Sequence, residues 1–146
     1  SPSKAQSLRD IGSTTIVDRD SDYTAALGQG SVDVVLDLVA GDKFPMLLDV
    51  LRPKGRYAVA GAVGGPIVDL DVRTLYLKDL SLLGSTAQPD NIIHDVIGYI
   101  ERGEIKPLVS ITYPMRSISE AQAAFAGKAY IGKIVLTLDP FATDRP

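Results

Sequence analysis

The chain lacks cysteine and tryptophan and has a single histidine among its 146 residues. Without cysteine, this sequence contains no disulfide, no thiolate zinc site, no iron–sulfur cluster and no cysteine nucleophile. One histidine cannot supply an HExxH pair or a three-histidine metal site. No apolar run reaches roughly 18 residues, the length that a membrane-spanning helix needs. No signal peptide opens the sequence. We therefore expect no membrane span and a cytoplasmic location.

The chain also has no excess of positively charged residues. Lysine and arginine number 15 against 18 aspartate and glutamate residues, which leaves a formal net charge of −3. A basic surface is the usual electrostatic mark of a nucleic-acid-binding protein, so nucleic acid is not an expected partner. The apolar fraction of 45% and the charged fraction of 23% are ordinary values for a globular protein. The composition predicts a folded chain with a core of its own.

Short apolar or β-branched runs alternate with helical patterns along the whole chain. Alternation of this kind, with short connections, predicts an α/β fold with a mainly parallel sheet and flanking helices. The longest predicted helix should bury one apolar stripe, and Ser117 and Glu120 have the spacing of a capping box. The predicted strands cover residues 14–18, 32–37, 56–61, 80–84, 109–115 and 132–138, and the stripe consists of Ile93, Val96, Ile97 and Ile100.

Three successive predicted strands end in segments that contain small residues and glycines, at residues 37–41, 60–65 and 84–86. Ligands of open parallel sheets bind beyond the carboxyl ends of the strands, and small residues let the backbone approach a flat ligand closely. Tight turns alone would also explain each loop. The sequence contains neither a G-x-G-x-x-G nor a G-x-x-x-x-G-K-[ST] phosphate loop.

No residue of the chain is assigned a catalytic or metal-binding role. The aspartates do not pair at a useful spacing, and His94 lies outside the apolar stripe of its helix, as an exposed residue would. The lysines are interpreted as solvated surface charges by default. This interpretation covers Lys4, Lys43, Lys54 and Lys78.

Five segments together resemble one protein family. Residues 32–41 are similar to a strand motif V-D-V-V-x-D-x-V-G-G, and residues 51–56 are similar to L-x-P-G-G-R. The other three are the strand at 80–86, the G-x-I-x-P turn within 100–107 and the G-K-x-V-L strand at 132–136. Their order and spacing agree with the medium-chain dehydrogenase/reductase superfamily over nearly the whole chain. The branch that the chain resembles contains the zinc-type alcohol dehydrogenases and the quinone reductase-like proteins.

This resemblance implies a partial Rossmann-like fold that lacks the first βαβ unit. Family members carry a separate GroES-like catalytic domain, which holds any zinc ligands, and a phosphate loop after the first Rossmann strand. The chain then corresponds to the C-terminal cofactor domain of an NAD(P)H-dependent oxidoreductase acting on quinones, enones or alcohols, and we expect no activity from it alone. Three parts are implied: a truncated nucleotide-binding domain at 1–107, a segment at 108–139 that returns toward the catalytic domain, and a flexible tail at 140–146.

The resemblance also implies which residues meet the nicotinamide dinucleotide. Ser1, Ser3 and Lys4 lie where the family meets the adenosine ribose, and serine and lysine there favour NADPH over NADH, with Arg19 assisting. Asp18 stands where many quinone reductase-like members have tyrosine, which departs from the NADP pattern. The remaining implied contacts are Leu38, Val39 and Ala40 at the adenine and ribose, Gly61, Ala62 and Val63 at the nicotinamide ribose, and Gly84, Ser85 and Thr86 at the carboxamide.

Two other interpretations stay open. A strand, a helix and the run L-R-P-K-G-R also occur in methyltransferase-like Rossmann domains. The chain could instead be a non-catalytic association module. In the superfamily, the strand equivalent to Leu80–Gly84 lies at the sheet edge and pairs with its twin, so the resemblance implies a homodimer through this strand.

Overall fold

Parallel strands and short helices alternate along residues 4–138, the part of the chain that the computed structural model describes. These residues form two units, one from residues 12–89 and one from residues 4–11 and 90–138. None of the helices in residues 4–138 is both long and apolar enough to cross a membrane. The boundary near residue 107 and the roles of 1–107 and 108–139 stay predictions, and the tail at 140–146 lies outside the described residues.

The first unit is a three-stranded parallel sheet with helices between its strands. The strand order is β1-β2-β3, so β2 is central and β1 and β3 each pair with it on one side. The elements are α2 (Tyr23–Leu27), β1 (Val32–Asp37), a 3-10 turn (Gly41–Lys43), α3 (Phe44–Val50), β2 (Leu51–Val59), α4 (Val72–Leu77) and β3 (Ser81–Gly84). The predicted parallel α/β fold is confirmed.

The core of this unit lies between α3 and the sheet. The Phe44 ring meets the Tyr57 ring edge-on, with the ring centroids 5.2 Å apart. Phe44 and Leu48, which are four residues apart on one side of α3, pack against the sheet. The buried cluster consists of Val35, Phe44, Leu48, Val50, Leu51, Tyr57 and Leu80.

Residues 51–55, which precede the strand predicted at 56–61, form an irregular beginning of β2. The register of β1 against β2 shifts between Val32 and Val34, and Lys54 adopts a φ of 63°. A Cβ on the buried Gly55 would lie 2.8 Å from the Arg52 carbonyl oxygen, so this tight bend needs glycine. The strand therefore starts at Leu51, five residues before the predicted start.

Two lysines of the first unit that the sequence analysis treats as solvated make intramolecular contacts. The Lys78 ammonium donates hydrogen bonds to the carbonyl oxygens of Leu48, Asp49 and Leu51 at the C-terminal end of α3. A cation is favourable there because the last carbonyls of a helix carry partial negative charge. Lys43 donates to the Ser21 carbonyl oxygen at 3.2 Å and lies 5.3 Å from the centre of the Tyr23 ring.

The strand predicted at residues 14–18 is wrong, because this segment pairs with no strand of the sheet. A β-branched run becomes a strand only when a neighbour takes up its backbone hydrogen bonds. The short helix that follows it is present as α2. Its N-cap is Asp22, whose carboxylate accepts hydrogen bonds from the backbone N–H groups of Thr24 and Ala25.

The second unit consists of α1 (Ala5–Asp10), α5 (Asn91–Glu101), β4 (Val109–Pro114), a 3-10 turn (Met115–Ser117), α6 (Ile118–Gly127) and β5 (Lys133–Thr137). Strands β4 and β5 pair in parallel, and α6 connects them. The predicted capping box is wrong, because the Ser117 side chain makes no capping hydrogen bond.

The buried stripe predicted on α5 is also wrong. Ile93 is 66% exposed, and Val96, Ile97 and Ile100 are between 38% and 46% exposed. The apolar spacing produces the amphipathic helix, but the unit that contains α5 leaves this face open to solvent.

Candidate functional site

The loops that follow β1 and β2 lie against each other at the carboxyl end of the sheet. We call residues 38–41 loop A and residues 60–66 loop B. The Gly64 N–H donates a hydrogen bond to the Val39 carbonyl oxygen at 2.7 Å. The Ala60 N–H donates to the Asp37 carbonyl oxygen at 2.9 Å. The structure therefore brings together the two sets of predicted ligand contacts in these loops.

Glycine is required where the two loops touch. A Cβ on Gly61 would lie 2.7 Å from the Leu38 carbonyl oxygen, and one on Gly41 would lie 2.5 Å from the Gly64 carbonyl oxygen. Real Cβ atoms do not approach backbone oxygens so closely, so a side chain at either position would force the loops apart. The small residues that the sequence analysis singled out are thus explained first by this close packing.

A buried carboxylate holds loop A in place. Oδ1 of Asp37 accepts hydrogen bonds from the N–H groups of Val39 at 2.7 Å and of Ala40 at 3.1 Å. The Tyr57 hydroxyl donates to Oδ2 at 2.6 Å. Ala40 adopts a φ of 54° and a ψ of −138°, a conformation that a residue with a Cβ rarely adopts. Such a conformation persists when its surroundings enforce it.

The environment of this pair shifts both titrations. Burial alone would raise the pKa of Asp37, but the hydrogen bonds from Tyr57, Val39 and Ala40 outweigh it and lower the pKa below its ordinary value. Burial, followed by the hydrogen bond to the Asp37 carboxylate, raises the pKa of Tyr57 well above its ordinary value. At neutral pH the pair therefore consists of a carboxylate and a protonated phenol.

The sequence analysis missed the pairing of Asp37 with Tyr57. One signal was available: Asp37 follows the buried Val35 by two residues, so both side chains point to the same face of β1. Tyr57 stands opposite Val35 in the register of β1 and β2. The diagonal contact between Asp37 and Tyr57 depends on that register, which the sequence does not reveal.

The solvent-facing part of the two loops is apolar and uncharged. Leu38, Val39 and Val63 are 57%, 50% and 89% exposed, and residues 38–41 and 60–66 include no charged side chain. Exposed apolar side chains can cover the rings of a flat ligand. The one carboxylate at the base of the loops is buried and accepts hydrogen bonds from the protein. These features fit an anionic dinucleotide.

The third predicted loop begins beside the second. The Ser85 N–H donates to the Val59 carbonyl oxygen at 2.9 Å, which places Ser85 at the carboxyl end of β2. Thr86 follows it and is exposed. The structure therefore gathers Ser85 with the contacts predicted in loops A and B, namely Leu38, Val39, Ala40, Gly61, Ala62 and Val63.

The structure describes only two of the residues predicted at the adenosine ribose, Lys4 and Arg19. Ser1 and Ser3 lie outside the described residues. Lys4 belongs to the second unit, where its ammonium donates to the carbonyl oxygens of Lys128 at 2.7 Å and Tyr130 at 2.9 Å. Arg19 belongs to the first unit and is exposed. The ribose roles of these residues stay predictions.

A groove of about 380 Å³ opens beside Gly41 and is bordered by the carboxylates of Asp42 and Asp69. Two acidic side chains disfavour the binding of a phosphate in this groove. Among residues 4–138, no cluster of three or more His, Asp or Glu side chains could hold a metal ion.

Comparison with known proteins decides the family. Residues 11–136 match the sequence profile of the zinc-binding dehydrogenases. The chain belongs to this family. Zinc-binding dehydrogenases are members of the medium-chain dehydrogenase/reductase superfamily, so the resemblance noted in the sequence is confirmed. The chain has no cysteine and one histidine, so it cannot supply the cysteine-rich or multi-histidine ligand sets that are typical of zinc sites.

Individual relatives agree with this assignment. Quinone oxidoreductase-like protein 2 of Bos taurus is 28% identical over 121 residues, which cover 77% of this chain and 35% of that protein. The crystal structure of a protein from Sinorhizobium meliloti 1021, assigned there as an alcohol dehydrogenase, is 43% identical with a TM-score of 0.82. It matches 94% of this chain and 40% of its own.

The crystal structure of an NAD-dependent alcohol dehydrogenase superposes with a TM-score of 0.79 and 25% sequence identity. The match covers 95% of this chain and 42% of the dehydrogenase chain. This zinc-binding dehydrogenase chain therefore spans between 35% and 42% of the length of these relatives. The match to a Rossmann-like domain over nearly the whole chain confirms the predicted fold class.

Proposed function

We propose that the chain forms part of the nicotinamide dinucleotide site of a longer oxidoreductase. The observation that carries the proposal is the mutual packing of loops A and B at the carboxyl ends of β1 and β2. In open parallel sheets this is the edge at which dinucleotides bind. Membership of the zinc-binding dehydrogenase family supports the same function.

Each part of the site has a defined task in this proposal. Leu38, Val39 and Ala40 line the adenine and ribose side, and Gly61, Ala62 and Val63 lie along the nicotinamide ribose. Ser85 and Thr86 present backbone groups to the carboxamide. When bound, the cofactor supplies the hydride chemistry. The residues of this chain shape and orient its binding surface, and none of them acts as a catalytic acid or base.

The proposal includes a preference for NADPH over NADH. Serine and lysine at the predicted ribose positions suit a 2′-phosphate, and the exposed Arg19 provides a further cation. The preference is tested by measuring dissociation constants for NADPH, NADH and adenosine 2′,5′-bisphosphate with the protein from the complete reading frame. Tighter binding of NADH would contradict it, and binding of S-adenosylmethionine in place of both would favour a methyltransferase.

Activity is proposed for the longer protein only, because this chain covers a minor part of its relatives. The purified 146-residue chain should not oxidise NADPH with a simple quinone, enone or aldehyde. The protein from the complete reading frame, produced in parallel, should do so with at least one of these substrate classes. Turnover by the short chain would show that it holds a complete active site.

The proposal also includes a cytoplasmic location. Fractionation of cells that express this protein would test it.

Association through β3 is a second candidate function. Strand β3 lies at one edge of its sheet, and all four of its residues are exposed, including Leu82 and Leu83. An unpaired edge with apolar side chains is suited to pairing with a second copy. Light scattering at high micromolar concentration should give a dimer, and Leu83→Lys should give a monomer. A monomeric wild-type protein would contradict this pairing.

A further inference from the structure

Asp37 is the one charged residue that the fold buries within residues 4–138, with 5% of its surface exposed. A buried carboxylate is unfavourable unless hydrogen bonds replace the water that it loses. Three donors surround it here: the N–H groups of Val39 and Ala40 at Oδ1 and the Tyr57 hydroxyl at Oδ2. The charge is therefore held at a defined point, where β1 passes into loop A.

These hydrogen bonds determine the backbone conformation of loop A. The two N–H groups that donate hydrogen bonds to Oδ1 both belong to loop A. One is the N–H of Ala40, whose φ is 54°. A residue with a Cβ leaves this conformation when the interactions that enforce it are removed. Loss of the carboxylate would therefore change the path of the backbone over residues 38–40, and not the position of one side chain alone.

Loop A in turn positions loop B. The Val39 carbonyl oxygen accepts a hydrogen bond from the Gly64 N–H, and the Leu38 carbonyl oxygen lies against Gly61. If loop A moves, both contacts change, and the backbone around Gly61 loses its support. The conformations of both loops consequently depend on the hydrogen bonds of Asp37.

Tyr57 fixes the carboxylate from the side of the core. Its ring is 2% exposed and packs edge-on against Phe44, so the hydroxyl has little freedom to move. Phenylalanine at this position would preserve the packing and remove the donor to Oδ2. A buried carboxylate oxygen without its donor loses the compensation for desolvation.

We propose that Asp37 and Tyr57 are a pair of positioning residues for the nicotinamide dinucleotide. They do not touch the cofactor. They hold the backbone of loops A and B in the conformation that receives it. This inference rests on the proposed function. It gives a role to Asp37, which the strand motif at 32–41 contains without a role, and it adds Tyr57, which lies outside the motifs.

The experiment uses the protein from the complete reading frame and three variants, Tyr57→Phe, Asp37→Asn and Asp37→Ala. Calorimetry gives the dissociation constant for NADPH, and amide hydrogen exchange without nucleotide reports on Val39 and Ala40. We expect Tyr57→Phe and Asp37→Ala to raise the dissociation constant about tenfold or more and to accelerate exchange at both amides. Asp37→Asn should lie closer to the wild type, because asparagine keeps an oxygen acceptor for the two N–H groups.

Two control variants come from the same strand. Asp33→Asn removes an exposed carboxylate that pairs with Arg52 at the surface, and it should bind NADPH as the wild type does. Val35→Ala removes a buried apolar side chain and lowers stability without touching loop A. Below its melting transition it should also keep the wild-type dissociation constant. If affinity instead follows melting temperature through all variants, the role of the pair is structural only.

The outcomes separate the two proposals. If the wild type binds neither NADPH nor NADH, the proposed function and this inference both fail. If the wild type binds and Tyr57→Phe binds equally well with unchanged amide exchange, the inference alone is overturned. Tyr57→Phe decides the matter if Asp37→Ala does not fold.

Discussion

The ammonium of Lys78 lies 2.8 Å from the carbonyl oxygen of Asp49, at the C-terminal end of α3. The same ammonium also donates to Leu48 and Leu51, so one side chain from the segment before β3 satisfies three backbone acceptors. These acceptors belong to the last turn of α3 and the first residue of β2. Lys78 thus links α3 to the central strand of the sheet.

Replacement of this lysine should reduce stability. Lys78→Met keeps the length and much of the packing of the side chain but removes the charge-assisted donors. We expect the free energy of unfolding to fall by about 1–2 kcal/mol, which urea denaturation would measure. The exposed Lys106 provides the control, and Lys106→Met should change stability little. Equal values for the two variants would show that the Lys78 contacts contribute nothing.

An added methyl group at Gly61 should separate loops A and B. In Gly61→Ala the Cβ would meet the Leu38 carbonyl oxygen at 2.7 Å, so one of the loops must shift. We expect a loss of about 1–3 kcal/mol in stability and weaker dinucleotide binding. Gly127→Ala is the matched control, because nothing lies within 4 Å of a Cβ at that position and no cofactor contact is predicted there. Wild-type affinity in Gly61→Ala would refute the tight packing of the loops.

Stability should depend on the Asp37 carboxylate at acid pH. The pKa of Asp37 is lower in the folded chain than in the unfolded one, so its contribution is complete above the unfolded value of about 4. As pH falls below that value, the contribution is lost, because the unfolded state binds the proton more tightly. Unfolding midpoints of the wild type should therefore decrease more steeply than those of Asp37→Asn between about pH 4 and pH 2. If the unfolding midpoints of the two proteins decreased in parallel, the hydrogen bonds to the Asp37 carboxylate would not contribute to stability.

The opposite sign applies to Tyr57 at alkaline pH. Its pKa is higher in the folded chain, so its contribution is complete below the unfolded value of about 10 and declines as pH rises above it. Tyr57→Phe should lack this alkaline decline. Chemical denaturation between about pH 9 and pH 11 would measure the difference. The exposed Tyr76 supplies the control variant Tyr76→Phe, which should retain the wild-type slope.

Apolar residues of α3 and α5 should respond differently to truncation. Leu48 is 2% exposed in the core of the first unit, whereas Ile97 on α5 is 46% exposed. Leu48→Ala should cost about 2–5 kcal/mol of stability, and Ile97→Ala should cost less than about 1 kcal/mol. A large loss from Ile97→Ala in the isolated chain would show that the apolar face of α5 is covered in solution.

Local elements were largely predictable from the sequence because they depend on near neighbours. The run Val32–Asp37 forms β1 with the predicted bounds. The alternation of strands and helices was sufficient for the parallel α/β class, and the conjunction of short motifs was sufficient for the family. Glycines at the ends of β1 and β2 marked the candidate site.

Tertiary structure alone decided which of these local preferences were realised. The β-branched run at 14–18 is not a strand, because strand formation needs a partner that no local pattern specifies. The apolar stripe of α5 is exposed because its burial requires another element to pack against it, and no local pattern specifies that element. Asp37 and Tyr57 are 20 residues apart, and their hydrogen bond follows from the register of two parallel strands. Register is a relation between distant segments. The sequence by itself therefore determined most of the elements and the family. Only the packed sheet determined which carboxylate is buried and which loops it holds.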